Sequence, residues 1–152
     1  MDTKAIIETK NLEKTYEDSK VAVRALRGVD LEVHEGEFMA LSGPSGSGKT
    51  TLLNIIGALD YPTGGTVRVA GEDLSGFSKS ELSKLRLNRI GFIFQAYNLI
   101  PVLTARENVE YVMLLQGVDE RERVERAETI LTDVGLKDYI DARPNEMSGG
   151  QQ

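Results

Sequence analysis

No cysteine occurs in the 152 residues, which excludes a disulfide framework and a thiolate zinc cluster. Histidine occurs once, as His34 before Glu35-Gly36-Glu37, and reads as a turn residue. No apolar run approaches the ~18 residues of a membrane span. The N-terminal Met1-Asp2-Thr3-Lys4 opens no apolar stretch long enough for a secretory leader. The expectation is a cytosolic protein that meets a membrane only through a partner. Internal repeats and low-complexity segments are missing too. Basic residues are outnumbered, and the net charge of −6 argues against broad nucleic-acid binding. Phosphate recognition is local and is untouched by that balance. Residues 121–128 are dense in charge, but the signs alternate, as on a solvated helix face. The length allows one domain with a real core, or one domain and part of another.

What is present is organised around residues 43–51, Gly43-Pro44-Ser45-Gly46-Ser47-Gly48-Lys49-Thr50-Thr51. They fit Gly-x-x-x-x-Gly-Lys-Ser/Thr, with Gly43, Gly48, Lys49 and Thr50 in the fixed places. Phe38-Met39-Ala40-Leu41 before the loop is a short apolar run that predicts a buried strand. Leu52, Leu53, Ile55, Ile56 and Leu59 after it fall at helical spacing, and Pro62 follows the helix end. A polyphosphate carries dense negative charge, and successive backbone N–H groups turned inward make an anion cradle. Glycines allow the close approach and the backbone angles that a Cβ would forbid. The following helix adds unpaired N–H groups and the positive end of its dipole. Lys49 would reach the β- and γ-phosphates, and the Thr50 hydroxyl would sit on Mg2+. The motif predicts a nucleotide phosphate, not a particular reaction.

Around the loop, Ile6-Ile7-Glu8-Thr9 and the alternating Val29-Asp30-Leu31-Glu32-Val33 predict strands, so residues 1–36 read as antiparallel β structure. Tyr16 lies there and offers a flat ring on which an adenine could stack. Thr66-Val67-Arg68-Val69-Ala70 predicts an edge-type strand. Ser78 and Glu81 form a capping box ahead of Leu82 and Leu85. Ile90-Gly91-Phe92-Ile93-Phe94 predicts a fully buried strand. Gln95 ends it, where open α/β sheets bind ligands, and could touch Mg2+ or an attacking water. From Ala96 the pattern turns helical. Thr104 and Glu107 form a second capping box for a helix through Val109, Val112, Met113 and Leu115, with Gly117 as its stop. Asp119 can cap a helix whose stripe is Val124, Ala127, Ile130, Leu131 and Val134, ended by Gly135. Tyr139 and Ile140 fit one more turn before Pro144. Ser148 and Gln151 again have capping-box spacing, and Gly149 and Gly150 between them would expose N–H groups as a second anion site.

These pieces, in this order, resemble the nucleotide-binding domain of ABC transporters over essentially the whole chain. Tyr16 matches the family's adenine-stacking residue, residues 43–51 its phosphate loop and Gln95 its Q-loop. Met147-Ser148-Gly149-Gly150-Gln151 matches its signature motif, with Met where Leu is usual, a mild apolar exchange. The resemblance implies an α/β fold: a P-loop NTPase core with an N-terminal antiparallel β part over residues 1–95, and a helical subdomain over 96–152. It implies ATP and Mg2+ as ligands. It also implies a second ATP-binding subunit, as a homodimer whose Ser148, Gly149 and Gly150 meet the γ-phosphate on the partner's phosphate loop. A membrane permease would contact the segment after Gln95 and hold the protein on the inner face of the plasma membrane. The stretches at 59–65, 89–95, 97–101 and 103–109 resemble ATPase subunits of lipoprotein-releasing and macrolide- or peptide-exporting permeases, and cell-division and amino-acid-import ATPases look similar there.

The chain also departs from the family. No apolar run ending in Asp-Glu follows the signature motif, and the family's switch histidine has no counterpart. These departures lead to the expectation of an incomplete parallel sheet and of a longer domain cut within its signature motif. Two alternatives stand beside a transport ATPase. One is a nucleotide-binding module without turnover, and the other is an ABC-type ATPase outside transport.

Overall fold

The computed structural model describes residues 4–17 and 21–152; Met1, Asp2 and Thr3, part of the stretch read for a leader, lie outside them. The chain forms two compact units, Met1–Ile90 and Gly91–Gln152.

In the first unit, β1 (Ala5–Tyr16), β2 (Val23–His34), β3 (Gly64–Val69) and the two-residue β4 (Glu72–Asp73) form one antiparallel sheet in the order β2-β1-β3-β4. β1 runs far beyond the short strand expected at 6–9. The reason is a bulge. Its register slips by one against both neighbours, between Thr9 and Leu12 on the β2 side and between Lys10 and Glu13 on the β3 side. Asn11, within that interval, takes the left-handed conformation with φ 46°. One extra residue reverses the face of everything after it. Buried Thr9 is therefore followed by buried Leu12 and Lys14, and the period-2 pattern is broken in the sequence although the strand continues. β3 is interior rather than an edge, because β4 covers its far side. His34 closes β2 instead of standing in a turn.

One face of this sheet packs Leu12, Leu26, Val67 and Val69 against Leu52 and Ile55 of α1 (Lys49–Ile56) and Leu82 and Leu85 of α2 (Lys79–Arg89). Leu53 and Leu59, counted on the apolar stripe of α1, are exposed. The α2 start is the expected box: Ser78 N–H donates to Glu81 Oε2 at 2.7 Å, and Glu81 N–H to Ser78 Oγ at 3.3 Å.

Two predicted strands are not strands. Residues 38–41 and 90–94 carry no ladder, and Phe38 and Ile93 are 96% and 103% exposed. Apolar composition favours burial, but a strand exists only where another strand takes its N–H and C=O groups. Among the described residues no strand pairs with either run.

In the second unit, α3 (Ala105–Leu115) packs on α4 (Glu120–Asp133). Thr104 N–H donates to Glu107 Oε2 at 2.8 Å and Glu107 N–H to Thr104 Oγ1 at 3.2 Å, completing the second capping box. Asp119 caps α4 through the Arg121 N–H at 3.0 Å. Gly117 and Gly135 follow the two helices with φ 78° and 79°. Ala127 and Leu131 are buried as expected of the α4 stripe, while Ile130 and Val134 are exposed. The face of α4 read as solvated is not wholly so. Arg123 lies 3.6 Å from Glu110, and both side chains are largely buried. The Asn108 amide closes the loop before α3, bonding both backbone groups of Ile100 and the carbonyls of Leu103 and Thr104. Single 3-10 turns follow at Lys137–Tyr139 and Pro144–Glu146. Among the described residues, no helix is long and apolar enough to cross a membrane.

Candidate functional site

Residues 43–48 curl into the start of α1. Ser47 N–H donates to the Pro44 carbonyl at 3.3 Å, and the first bond of the helix runs from Leu52 N–H to the Gly48 carbonyl at 2.9 Å. Gly48 is the N-cap, left-handed at φ 91°, with no side-chain cap. The N–H groups of Gly48, Lys49, Thr50 and Thr51 therefore have no partner inside the helix. A glycine is required here for two reasons. Its φ is the left-handed one, and a Cβ would stand 2.5 Å from the Ala25 carbonyl and 3.1 Å from Leu26 Cδ2 of β2. The backbone of the helix start is thus pressed onto β2.

The Lys49 ammonium bends back across this loop, donating to the carbonyls of Gly43 and Pro44 at 2.7 Å each and reaching Ser47 Oγ at 3.4 Å. Unpaired amides, the positive end of a helix and a cation at the same place fit a polyphosphate by charge and by hydrogen-bond count. Most of residues 43–50 are exposed, so the cradle is open to a ligand. The Thr50 hydroxyl is in the first turn of the same helix. Among the described residues no group of three or more Asp, Glu or His could hold a metal ion.

Tyr16 ends β1, where it pairs with Val23, and Lys14 pairs with Leu26. The same Leu26 touches the Gly48 position, so β2 brings the Tyr16 end of β1 beside the phosphate loop. Tyr16 hydroxyl donates to Asp60 Oδ2 at 2.8 Å. Lys14 Nζ donates to Asp60 Oδ1 at 2.6 Å and to the Tyr61 carbonyl at 2.7 Å. Burial alone would raise the Asp60 pKa; the bonds from Lys14, Tyr16 and the Tyr61 amide outweigh it and hold the carboxyl below the ordinary Asp value. Sequence reasoning passed over Lys14 and Asp60. Their only sequence signal is Lys14 two residues before Tyr16 on one strand, and the Asp60 end of that link is 46 residues away.

Gln95 and residues 148–151 belong to the second unit. Gln95 is exposed in a bend. Ser148 N–H donates to Gln151 Oε1 at 2.9 Å, which is half of a capping box, while Gln151 N–H turns back to the Ser148 carbonyl at 2.9 Å. A turn forms there, and no helix is seen. Gly149 and Gly150 are exposed, and a Cβ on Gly149 would meet Tyr97 Oη at 2.9 Å.

An α/β protein whose glycine loop feeds a helix start against an antiparallel sheet is the class these features define. The chain belongs to the ABC transporter family, whose pattern matches residues 26–152. It is 46% identical, over 97% of its length, to the uncharacterized ABC transporter ATP-binding protein YknY of Bacillus subtilis, and covers 64% of that protein. An uncharacterized ABC transporter ATP-binding protein of Thermotoga maritima is 50% identical, with 98% of this chain and 64% of the relative aligned. The macrolide export ATP-binding/permease protein MacB of Marinobacter nauticus is 45% identical over all of this chain and 24% of its own length. Among solved structures, the dimeric ATP-binding cassette MJ0796 in a post-hydrolysis state with ADP and Pi superimposes with a TM-score of 0.85 at 43% identity. That match covers 95% of this chain and 64% of the other. The chain thus spans just under two thirds of the first two relatives.

Proposed function

We propose that this chain is the ATP-binding part of an ABC transporter, coupling ATP binding and hydrolysis to export or lipoprotein release through a separate permease. The observation that carries the reading is the start of α1. Four N–H groups without helical partners surround the Gly48 position, and Lys49 Nζ is 2.7 Å from two loop carbonyls. On ATP binding, Lys49 exchanges those carbonyls for β- and γ-phosphate oxygens, and residues 43–51 wrap the phosphates. The Tyr16 ring stacks on adenine. Thr50 and Gln95 would hold Mg2+, which would neutralise charge on the phosphate oxygens, and Gln95 would orient the attacking water. Ser148, Gly149, Gly150 and Gln151 meet the γ-phosphate bound by a second copy in a homodimer.

Residues 1–95 serve as the nucleotide-binding core, and residues 96–152 as the helical part that meets the permease. The protein then works on the inner face of the plasma membrane. The macrolide-export relatives, 44–46% identical, support the export branch.

The test is calorimetric titration of the chain with Mg·ATP. Lys49→Ala is expected to abolish measurable binding, and an unchanged ATP affinity would remove the phosphate-loop assignment.

A further inference from the structure

Lys14 and Asp60 are not needed by the phosphate loop, yet the structure invests both in one aromatic ring. Lys14 is 9% exposed. An ammonium that deep requires partners, and it has three. Asp60 Oδ1 lies at 2.6 Å, the Tyr61 carbonyl at 2.7 Å, and the centroid of the Tyr16 ring at 4.8 Å. The second carboxylate oxygen of Asp60 accepts the Tyr16 hydroxyl at 2.8 Å. One carboxylate thus holds the cation by one oxygen and the ring by the other. The ring is fixed at its tip and covered on one face. A cation over one face of an aromatic ring leaves the other for a second partner. A ring ordered before its ligand arrives loses less freedom on binding. The bulge at Asn11 is what puts Lys14 on the buried face.

We propose that Lys14 and Asp60 are positioning residues for nucleotide-base stacking: Asp60 anchors the Tyr16 hydroxyl, and Lys14 covers one ring face so that adenine meets the other. The proposal rests on the reading of Tyr16 as the adenine-stacking residue.

The test is a mutant cycle on the 152-residue chain, titrated with Mg·ATP and separately with Mg·tripolyphosphate, which has no base. Tyr16→Ala is expected to weaken ATP about five- to a hundredfold, whereas Tyr16→Phe, which keeps the ring and loses only the hydroxyl bond to Asp60, is expected to lose no more than Asp60→Ala does. Asp60→Ala and Lys14→Met are each expected to weaken ATP severalfold, to leave tripolyphosphate affinity unchanged, and to cost nothing further in the Tyr16→Ala background. If Tyr16→Ala leaves ATP affinity intact, base stacking fails and the proposal with it. If Tyr16→Ala weakens ATP but neither Asp60→Ala nor Lys14→Met does, the proposal alone is overturned. It is equally overturned if their losses persist without Tyr16 or extend to tripolyphosphate, since both would mark a purely structural ion pair. Lys14→Met carries the test if Asp60→Ala does not fold.

Discussion

Gly48 joins stability and the proposed phosphate site at a single residue. Its φ of 91° and the Ala25 carbonyl 2.5 Å from a Cβ both oppose any side chain. Left-handed strain alone costs about 1–3 kcal/mol, and the backbone contact adds to it. Gly48→Ala is therefore expected to lower the urea midpoint clearly and to remove ATP binding. Gly76→Ala, with open space and no positive φ, is expected to stay within about 0.5 kcal/mol. Equal midpoints for the two variants would refute the argument. Asp60 gives a pH dependence of definite sign. Its carboxyl is held below the ordinary Asp value, so its contribution is complete above about pH 3.9. It is lost as pH falls through the lower folded value. At this scale the sequence told much about Gly48, because the spacing of Gly48, Lys49 and Thr50 is itself the chemical requirement. It told nothing about Asp60, whose side-chain partners Lys14 and Tyr16 come from β1, 46 and 44 positions away.

Helix starts were the most legible elements. Ser78/Glu81 and Thr104/Glu107 both close as boxes, since each involves groups only three residues apart and needs no tertiary help. Glu107 shows the electrostatic consequence. The Thr104 backbone N–H and then its side chain hold the carboxyl below the ordinary Glu value. The benefit is present above the unfolded pKa and is lost as pH falls through the folded one. Thr104→Ala is expected to cost about 1 kcal/mol and to move the Glu107 titration, followed by NMR, back toward the ordinary value. An unmoved titration would contradict the box. Strands were far less legible. Residues 38–41 and 90–94 have the composition of buried strands and form no strand, 38–41 being exposed and 90–94 only half-buried at Ile90 and Phe92, while β1 has a broken pattern and runs for 12 residues. Helical bonds close within a segment, whereas a strand depends on a partner that its own residues do not specify.

For the whole molecule, the proposed function separates binding from turnover. The phosphate-loop motif is complete over residues 43–51, but no apolar run ending in Asp-Glu, which would supply a general base, is written in the 152 residues. The chain is therefore expected to bind Mg·ATP and, in a steady-state phosphate-release assay, to turn over no faster than background. Sustained release would show that a base comes from elsewhere in these residues. The sequence by itself determined the family, the glycine loop that opens α1 and the capped helices, because each is written in side chains a few residues apart. Only the tertiary structure decided that a bulge at Asn11 turns Lys14 inward, that β2 presses on Gly48, and that Asp60 holds Tyr16. Those contacts join residues 20 to 50 positions apart, and their energies depend on where the backbone carries each group rather than on which group it is.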